Sequence, residues 1–211
     1  MKKKIKREEI IKAAKKLIIE KGYRKTSVQD ITDEVGIAKG SFYTYFKSKD
    51  SLMETLLLEK REKHKGFIKE LFNSSRNLEE TIRKYITYYF HIPTKDMEFI
   101  LVMLNMMRSI DSVGKNIIKK LELDRENRKN EFVEILKRYE DEIEIKENKD
   151  FERYGSLVFG MINIFYINNF LPIQYKFTEI GISELKKKIE EVDFEYEIDF
   201  MTRSIFKLIS K

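Results

Sequence analysis

The stretch GYRKTSVQDITDEVGIAKGSFYTYFKSK, residues 22–49, decides the fold of this 211-residue chain. Two of its three glycines, Gly22 and Gly36, each follow a run of apolar residues at helical spacing. Glycine adopts the left-handed backbone of a helix C-terminus or a tight turn most easily. Between the glycines, Thr26 or Ser27 stands where a second helix needs an N-cap. The stretch therefore predicts three consecutive helices, with a tight turn between the second and the third.

The apolar residues give each of these helices an inward face. They are Ile10, Ala14, Leu17 and Ile18 on the first helix, Val28, Ile31 and Val35 on the second, and Ile37, Phe42 and Phe46 around the third, which we place at residues 38–46. The opposite stripe of the third helix then consists of Gly40, Tyr43, Thr44 and Lys47. An ordinary solvent-facing stripe would be richer in Glu and Lys, whereas this one suits contact with phosphates and base edges. The pattern is typical of a helix-turn-helix that places a short helix in the major groove of DNA.

Positive charge is concentrated at the same end of the chain. Residues 1–49 carry a net charge of +8 and the remaining residues carry −2, which gives +6 overall. A basic head on a nearly neutral body is expected where one end of a protein meets a polyanion. Five of the first seven residues are basic and would form either a mobile arm that reaches DNA or a disordered solubilising tail.

The run from Thr26 to Lys49, with GIAKGSFYTYFKSKDSL at its centre, resembles the DNA-binding domain of TetR-family transcriptional regulators. The resemblance implies an all-α homodimer that binds a palindromic operator in double-stranded DNA, as a repressor released by a small molecule. The implied phosphate contacts are Thr26, Ser27, Tyr45 and Lys49, of which we expect Tyr45 to be exposed. The residues implied to approach the bases are Lys39, Gly40, Ser41, Tyr43 and Thr44.

Behind the helix-turn-helix head of residues 1–49, the pattern predicts a helical regulatory and dimerisation domain over residues 50–211. A linking helix, capped by Ser48, would run over residues 48–72. Further helices are predicted at 78–90, 95–111, 115–140, 151–171, 183–191 and 195–210, with a loop at 140–150 and with Pro93 and Pro172 as stops. The expected fold class is therefore all-α. The apolar faces of 151–171 and 195–210 would meet a second copy of the chain in a homodimer, and burial within the monomer is the alternative.

Most of the 15 Phe and 11 Tyr residues lie in the body. Methionine and aromatic side chains suit a pocket for a small hydrophobic or amphipathic effector, although such a stripe more often forms ordinary core. The candidate ligand-binding residues are Tyr85, Tyr89, Phe99, Met103, Met106, Met107, Asn163 and Tyr166, with Asn163 and Tyr166 as the polar contacts.

Other classes of function receive little support from the sequence. The absence of cysteine excludes a disulfide scaffold and a thiolate metal site, and the two histidines lack ligand spacing, so we expect no metal and no cofactor. The chain lacks the glycine-containing motifs of hydrolases, nucleotide-binding loops and dinucleotide sites, so we do not expect an enzyme. No charged n-region followed by an apolar h-region opens the chain, so we expect a cytoplasmic protein. Asparagines interrupt the apolar stretch 157–171, so we expect no membrane span. The alternative to an effector-released repressor is a DNA-binding protein without inducer, acting in chromosome organisation or cell division.

Overall fold

A computed structural model describes residues 2–145, 147–170 and 182–210 of the chain. Over these residues the backbone is almost entirely helical, and it contains an isolated antiparallel bridge between Ile143 and Ser210 but no strand. The predicted all-α fold class is confirmed. The α-helices are α1 (Lys2–Lys21), α2 (Val28–Val35), α3 (Lys39–Phe42), α4 (Lys49–Ser74), α5 (Leu78–Phe90), α6 (Ile92–Lys95), α7 (Met97–Arg108), α8 (Lys115–Arg138), α9 (Asn148–Phe170), α10 (Ile182–Glu190) and α11 (Phe194–Ile209).

The helices group into two compact units. The first unit contains Met1–Lys65 and Asp96–Leu123, and the second contains Gly66–Lys95 and Asp124–Lys211. Both α4 and α8 contribute residues to each unit. The spatial grouping therefore follows tertiary packing and does not follow chain order, and the division of function after residue 49 stays a prediction.

In the first unit, α1 packs against α2 and α7, and α2 packs against α3. The predicted inward residues Ile10, Ala14, Ile18 and Ile31 are completely buried, in a core that also takes in apolar residues of α4 and α7. The backbone is helical from Lys2 onward, and it does not form the arm or tail that the basic residues suggested. The helical spacing of apolar residues in the head thus correctly predicts which of them form its core.

In the second unit, α5 packs against α11, and α9 also packs against α11. The bounds of α5 agree with the predicted helix, and the Asn77 side chain caps it by accepting from Glu80 N at 2.8 Å. Pro93 lies inside the short helix α6, because proline is tolerated in a first helical turn. Helix α5 ends at Phe90, before Pro93, as the sequence predicted.

The remaining predicted bounds differ from the structure by a few residues. The Asp96 side chain caps α7 by accepting from Phe99 N at 3.2 Å, so this helix begins two residues later than predicted and ends at Arg108. Helix α9 begins three residues earlier than predicted, inside the segment that was expected to be a loop. The predicted end of that helix at residues 171–172 lies outside the described residues.

Two general features bear on function. Among the helices of the described part of the chain, none is long and apolar enough to cross a membrane. In the same part of the chain, histidine and carboxylate side chains form no group that could hold a metal ion.

Candidate DNA-binding face and body cluster

Helix α2 is fixed at both ends by specific caps. Ser27 is its N-cap, because its Oγ accepts from Asp30 N at 3.1 Å while Ser27 N donates to Asp30 Oδ2 at 2.7 Å. Lys21 Nζ lies 2.8 Å from Asp30 Oδ1, and the hydrogen bonds from Lys21 and Ser27 hold the pKa of this carboxyl well below its usual range. At the other end, Gly36 has a φ of +70° and forms the left-handed C-cap. The direction in which the chain enters α3 is thereby set.

Helix α3 is shorter than the predicted helix of residues 38–46. Regular α-helix covers Lys39–Phe42, and the next three residues continue as turns, in which Tyr45 N donates to Phe42 O at 2.9 Å. Such i→i+3 bonds are common where a helix tightens at its end. Phe42 and Phe46 are buried as predicted, with ring centroids 5.6 Å apart. The two rings anchor the segment in the core of the first unit and turn its other side outward.

The outward side of this segment is a set of exposed residues that we call the recognition face: Lys39, Gly40, Tyr43, Thr44 and Lys47. Tyr43 is 52% exposed although its ring is a large apolar group. A Cβ built at Gly40 would meet nothing within 4 Å, so packing within the protein does not require glycine there. Glycine costs about 1 kcal/mol relative to alanine inside a helix. The recognition face thus has a lysine at each end and a residue without a side chain beside the first lysine, which suits close approach by another molecule.

Two predicted DNA-binding residues of the same segment are only partly accessible. Ser41 and Tyr45 are half-buried, and the Tyr45 ring packs against the core of the first unit. The expectation of an exposed Tyr45 is therefore wrong, because its ring is also needed for packing.

Thr26 and Lys49 are engaged inside the head. Thr26 is buried, and its Oγ1 donates to Gly22 O at 2.9 Å. Lys49 Nζ donates to Tyr23 O at 2.6 Å and to Thr26 O at 2.7 Å, and it lies 4.1 Å from the centre of the Tyr23 ring. The Tyr23 hydroxyl in turn donates to Asp50. In this conformation the Lys49 side chain ties the start of α4 to the loop before α2, and the Thr26 side chain binds the backbone just after α1. Neither side chain is free for the phosphate contact that the resemblance implies.

In the second unit, four of the predicted ligand-binding residues lie together between α5 and α9. Tyr89 Oη donates to Asn163 Oδ1 at 2.9 Å, and Asn163 Nδ2 donates to Phe159 O at 3.0 Å. The Tyr166 ring lies edge-on to the Tyr89 ring, with centroids 5.4 Å apart, and the Tyr85 and Tyr89 rings stack at 6.1 Å. Burial raises the pKa of all three tyrosine hydroxyls, so they are neutral donors at physiological pH.

Arg128 of α8 belongs to the same cluster and was not predicted. Its side chain is only 19% exposed, its Nε donates to Asp124 Oδ2 at 2.9 Å, and its Cζ lies 5.6 Å from the centre of the Tyr89 ring. The sequence of α8 indicates that Arg128 faces the core, because Asp124 and Arg128 share a helical stripe with the buried residues Phe132 and Ile135. We call Tyr85, Tyr89, Arg128, Asn163 and Tyr166 the body cluster.

The other four predicted ligand-binding residues lie on α7, in the first unit. Met106 is buried in the core of that unit, and Met103 packs against the same core. Met107 is 61% exposed, and Phe99 lies 5.0 Å from Lys60 Nζ. Because α7 packs against α1, the placement of Met103 and Met106 agrees with the ordinary-core alternative.

The fold and the recognition face together define a helix-turn-helix protein with a helical body. The model of the TetR_N family, bacterial regulatory proteins of the tetR family, matches residues 10–56. Residues 10–56 therefore match the TetR_N family, and the fold of the described residues is that of solved TetR-family regulators.

Individual proteins match the chain either over a short stretch at higher identity or over most of its length at lower identity. The HTH-type transcriptional repressor KstR2 of Rhodococcus jostii is 38% identical over 72 residues, which cover 34% of this chain and 32% of KstR2. The fatty acid metabolism regulator protein of Bacillus subtilis is 26% identical over 163 residues, 74% of this chain and 78% of that protein. The crystal structure of FadR from Bacillus subtilis in complex with stearoyl-CoA has a TM-score of 0.68 at 21% identity, covering 93% of this chain and 96% of that chain.

For three of the curated relatives, KstR2 among them, the chain spans only 24–33% of their length. The strongest sequence similarity is thus confined to part of each relative.

Proposed function

We propose that the chain is a sequence-specific DNA-binding transcriptional regulator, a repressor that binds a palindromic operator as a dimer and is released by a small amphipathic effector. The recognition face carries the proposal, because an exposed tyrosine between two lysines contributes little to the fold and suits DNA contact. The family match over residues 10–56 and the description of KstR2 as a repressor support it.

In this proposal the recognition face meets the major groove of DNA. Lys39, Gly40, Tyr43 and Thr44 approach the bases, together with the accessible part of Ser41. Lys47, Ser27 and Tyr45 contact phosphates. Thr26 and Lys49 act by holding the start of α4 in place. Residues 1–49 thus read DNA, and residues 50–211 regulate and dimerise.

The body cluster supports an amphipathic effector, because it combines aromatic walls with a few buried polar groups. One relative is named a fatty acid metabolism regulator protein, and one similar structure contains stearoyl-CoA. An effector with a long apolar chain fits both observations. Because α4 carries residues of both units, an effector in the body would act by displacing α4 and changing the spacing of the two heads. It does so only if it favours one spacing over the other.

Exposed apolar residues on α9 and α11 support the dimer. Leu157 and Ile164 lie seven residues apart on α9, and Ile164 is 59% exposed. Tyr196, Phe200 and Leu208 form a similar exposed stripe on α11, which packs beside α9. Two helices from each copy would bury these side chains in a four-helix interface. A two-fold symmetric protein of this kind matches a palindromic operator.

The DNA-binding part of the proposal is tested by selecting duplexes from a random library and measuring affinities for selected and scrambled sequences. Tyr43→Ala should lower affinity for the selected duplex by about fivefold or more and leave affinity for the scrambled duplex unchanged. Lys47→Ala should weaken both equally, so each variant serves as the control of the other. Recovery of no enriched sequence would refute the proposal. Binding at many sites spread over the chromosome would contradict a role at particular promoters.

The dimer is tested by light scattering on Ile164→Asp, which should convert the chain to a monomer. Ile110→Asp changes an isoleucine that is also exposed but lies between α7 and α8, and it should leave the dimer intact. A monomeric wild-type chain, or an Ile164→Asp variant with the wild-type mass, would show that these stripes are not the interface.

A further inference from the structure

The body cluster contains a buried hydrogen-bond donor without an acceptor and, close to it, a cation with several N–H groups. Tyr166 is only 6% exposed, and its buried Oη has no hydrogen-bond partner in the part of the chain that the structure describes. Arg128 binds Asp124 through Nε and also hydrogen-bonds the Tyr89 side chain, and these two contacts use fewer than the five N–H donors of its guanidinium. The Arg128 side chain keeps 19% of its surface accessible, so it is not wholly enclosed by the protein.

Both donors belong to side chains that lie against the same ring. The Arg128 Cζ is 5.6 Å from the centre of the Tyr89 ring, and the Tyr166 centroid is 5.4 Å from it. The charge of Arg128 lowers the pKa of Tyr166 and so opposes the larger effect of burial, which raises it. Tyr89 itself is occupied, because its hydroxyl donates to Asn163. Arg128 and Tyr166 therefore both lie against Tyr89, and the contacts of Tyr89 with Asn163 and Arg128 leave the Tyr166 hydroxyl without an acceptor among the described residues.

The surroundings of these donors define the chemistry that would satisfy them. Phe90 and Phe170 lie against the Tyr166 ring, with centroids at 6.5 Å and 5.7 Å. Aromatic walls favour an apolar chain, and a buried donor without an acceptor is costly, so an acceptor on that chain is strongly favoured. The Arg128 cation disfavours a positively charged group. An oxygen acceptor at the end of an aliphatic chain meets all of these conditions.

We propose that Arg128 and Tyr166 bind the acyl oxygen of a long-chain effector, present either as a free carboxylate or as a thioester carbonyl. This inference rests on the proposed effector-released function and adds the residues that recognise the polar end of the effector. Arg128 supplies a charge-assisted hydrogen bond through Nη, and Tyr166 supplies a neutral one through Oη. The aliphatic chain lies among the aromatic rings of α5 and α9.

The test is calorimetric titration of the full chain with dodecanoate, dodecanoyl-CoA and dodecyltrimethylammonium. Arg128→Met should weaken binding of the acyl ligand by about 10–100-fold, and Tyr166→Phe by about 3–10-fold. Methionine at a buried ion-pair position is often tolerated, and Tyr166→Phe keeps the ring, so circular dichroism should show both variants folded. Arg125→Met on the exposed side of α8 and Tyr154→Phe on α9 are the matched controls, and both should keep wild-type affinity.

Each outcome of this titration decides one point. Binding of dodecanoate alone identifies the free acid as the source of the acyl oxygen, and binding of dodecanoyl-CoA alone identifies the thioester. Wild-type affinity in both Arg128→Met and Tyr166→Phe, tighter binding of dodecyltrimethylammonium, or no binding of either acyl probe would overturn the inference. Affinity for the selected DNA duplex is measured in parallel. A chain that binds DNA but fails the titration loses only this inference, whereas a chain that binds no DNA loses the proposed function.

Discussion

The Lys49 ammonium offers the sharpest test of how the head is built. Lys49→Ala removes two hydrogen bonds to backbone carbonyls and a cation–π contact with Tyr23. Hydrogen bonds that involve a charged group are worth about 1.5–3 kcal/mol, and Tyr23 O keeps one partner because Thr26 N also donates to it. We therefore expect a loss of about 2 kcal/mol, which corresponds to a fall in Tm of roughly 4–8 °C for a chain of this size.

The matched variant is Lys47→Ala, two residues earlier on the recognition face. Lys47 is exposed, so its removal should leave Tm unchanged but reduce the slope of log affinity for DNA against log salt concentration by about 1. Thermal unfolding and salt-dependent DNA titrations on both variants separate a structural lysine from a phosphate-binding one. If Lys49→Ala kept the wild-type Tm and lowered the salt slope as much as Lys47→Ala, Lys49 would be a phosphate contact and the reasoning from its hydrogen bonds would be refuted.

Three further predictions concern stability. Gly155→Ala should destabilise the chain, because a Cβ there would lie 2.6 Å from a methyl carbon of α8. Gly66→Ala should stabilise the chain by about 1 kcal/mol, because a Cβ there would meet nothing within 4 Å. The Tm values of the two variants should therefore shift in opposite directions. The pKa of Asp30 is depressed in the folded chain, so its contribution to the stability of the fold is present above its unfolded pKa and is lost as pH falls. Asp30→Asn should therefore lower Tm at neutral pH and flatten the fall in Tm between about pH 5 and pH 2. Arg83→Ala breaks two exposed ion pairs with carboxylates of α11, so its Tm should fall by no more than a few degrees, and the difference should disappear in about 1 M NaCl.

The head could be predicted from sequence because its signals are local. Gly22 and Gly36 both have a positive φ, and the cap of α2 lies within three residues of its partner. Phe42 and Phe46 are buried because a spacing of four places both rings on one side of the chain. The length of α3 could not be predicted in the same way, because a tightening of the last turn leaves the apolar spacing unchanged.

The roles of Thr26 and Lys49 could not be predicted, because that of Thr26 depends on its burial and that of Lys49 on partners distant in sequence. Lys49 donates to carbonyls 23 and 26 residues away, and a basic residue at a helix start looks the same whether it binds phosphate or backbone. For the methionines of α7, helical spacing correctly predicts a buried face. The spacing does not predict which helix packs against that face. In this chain the α7 face serves the core around α1.

A cation at a core position of α8 makes the stability of the body depend on what the body cluster binds. Burying a guanidinium costs several kcal/mol, and Asp124 pairs with Nε alone. An acyl oxygen that accepts from the remaining donors would offset part of this cost only in the folded chain, so effector binding and folding are linked. At an effector concentration of about 100 times Kd, the linkage is worth about 2.7 kcal/mol, or roughly 5–11 °C in Tm. Arg128→Met lacks the buried charge, so without effector it should be no less stable than the wild type, and at the same effector concentration its thermal shift should be smaller. A variant that was less stable and kept the full shift would mean that Asp124 alone satisfies the guanidinium and that the cation serves the fold.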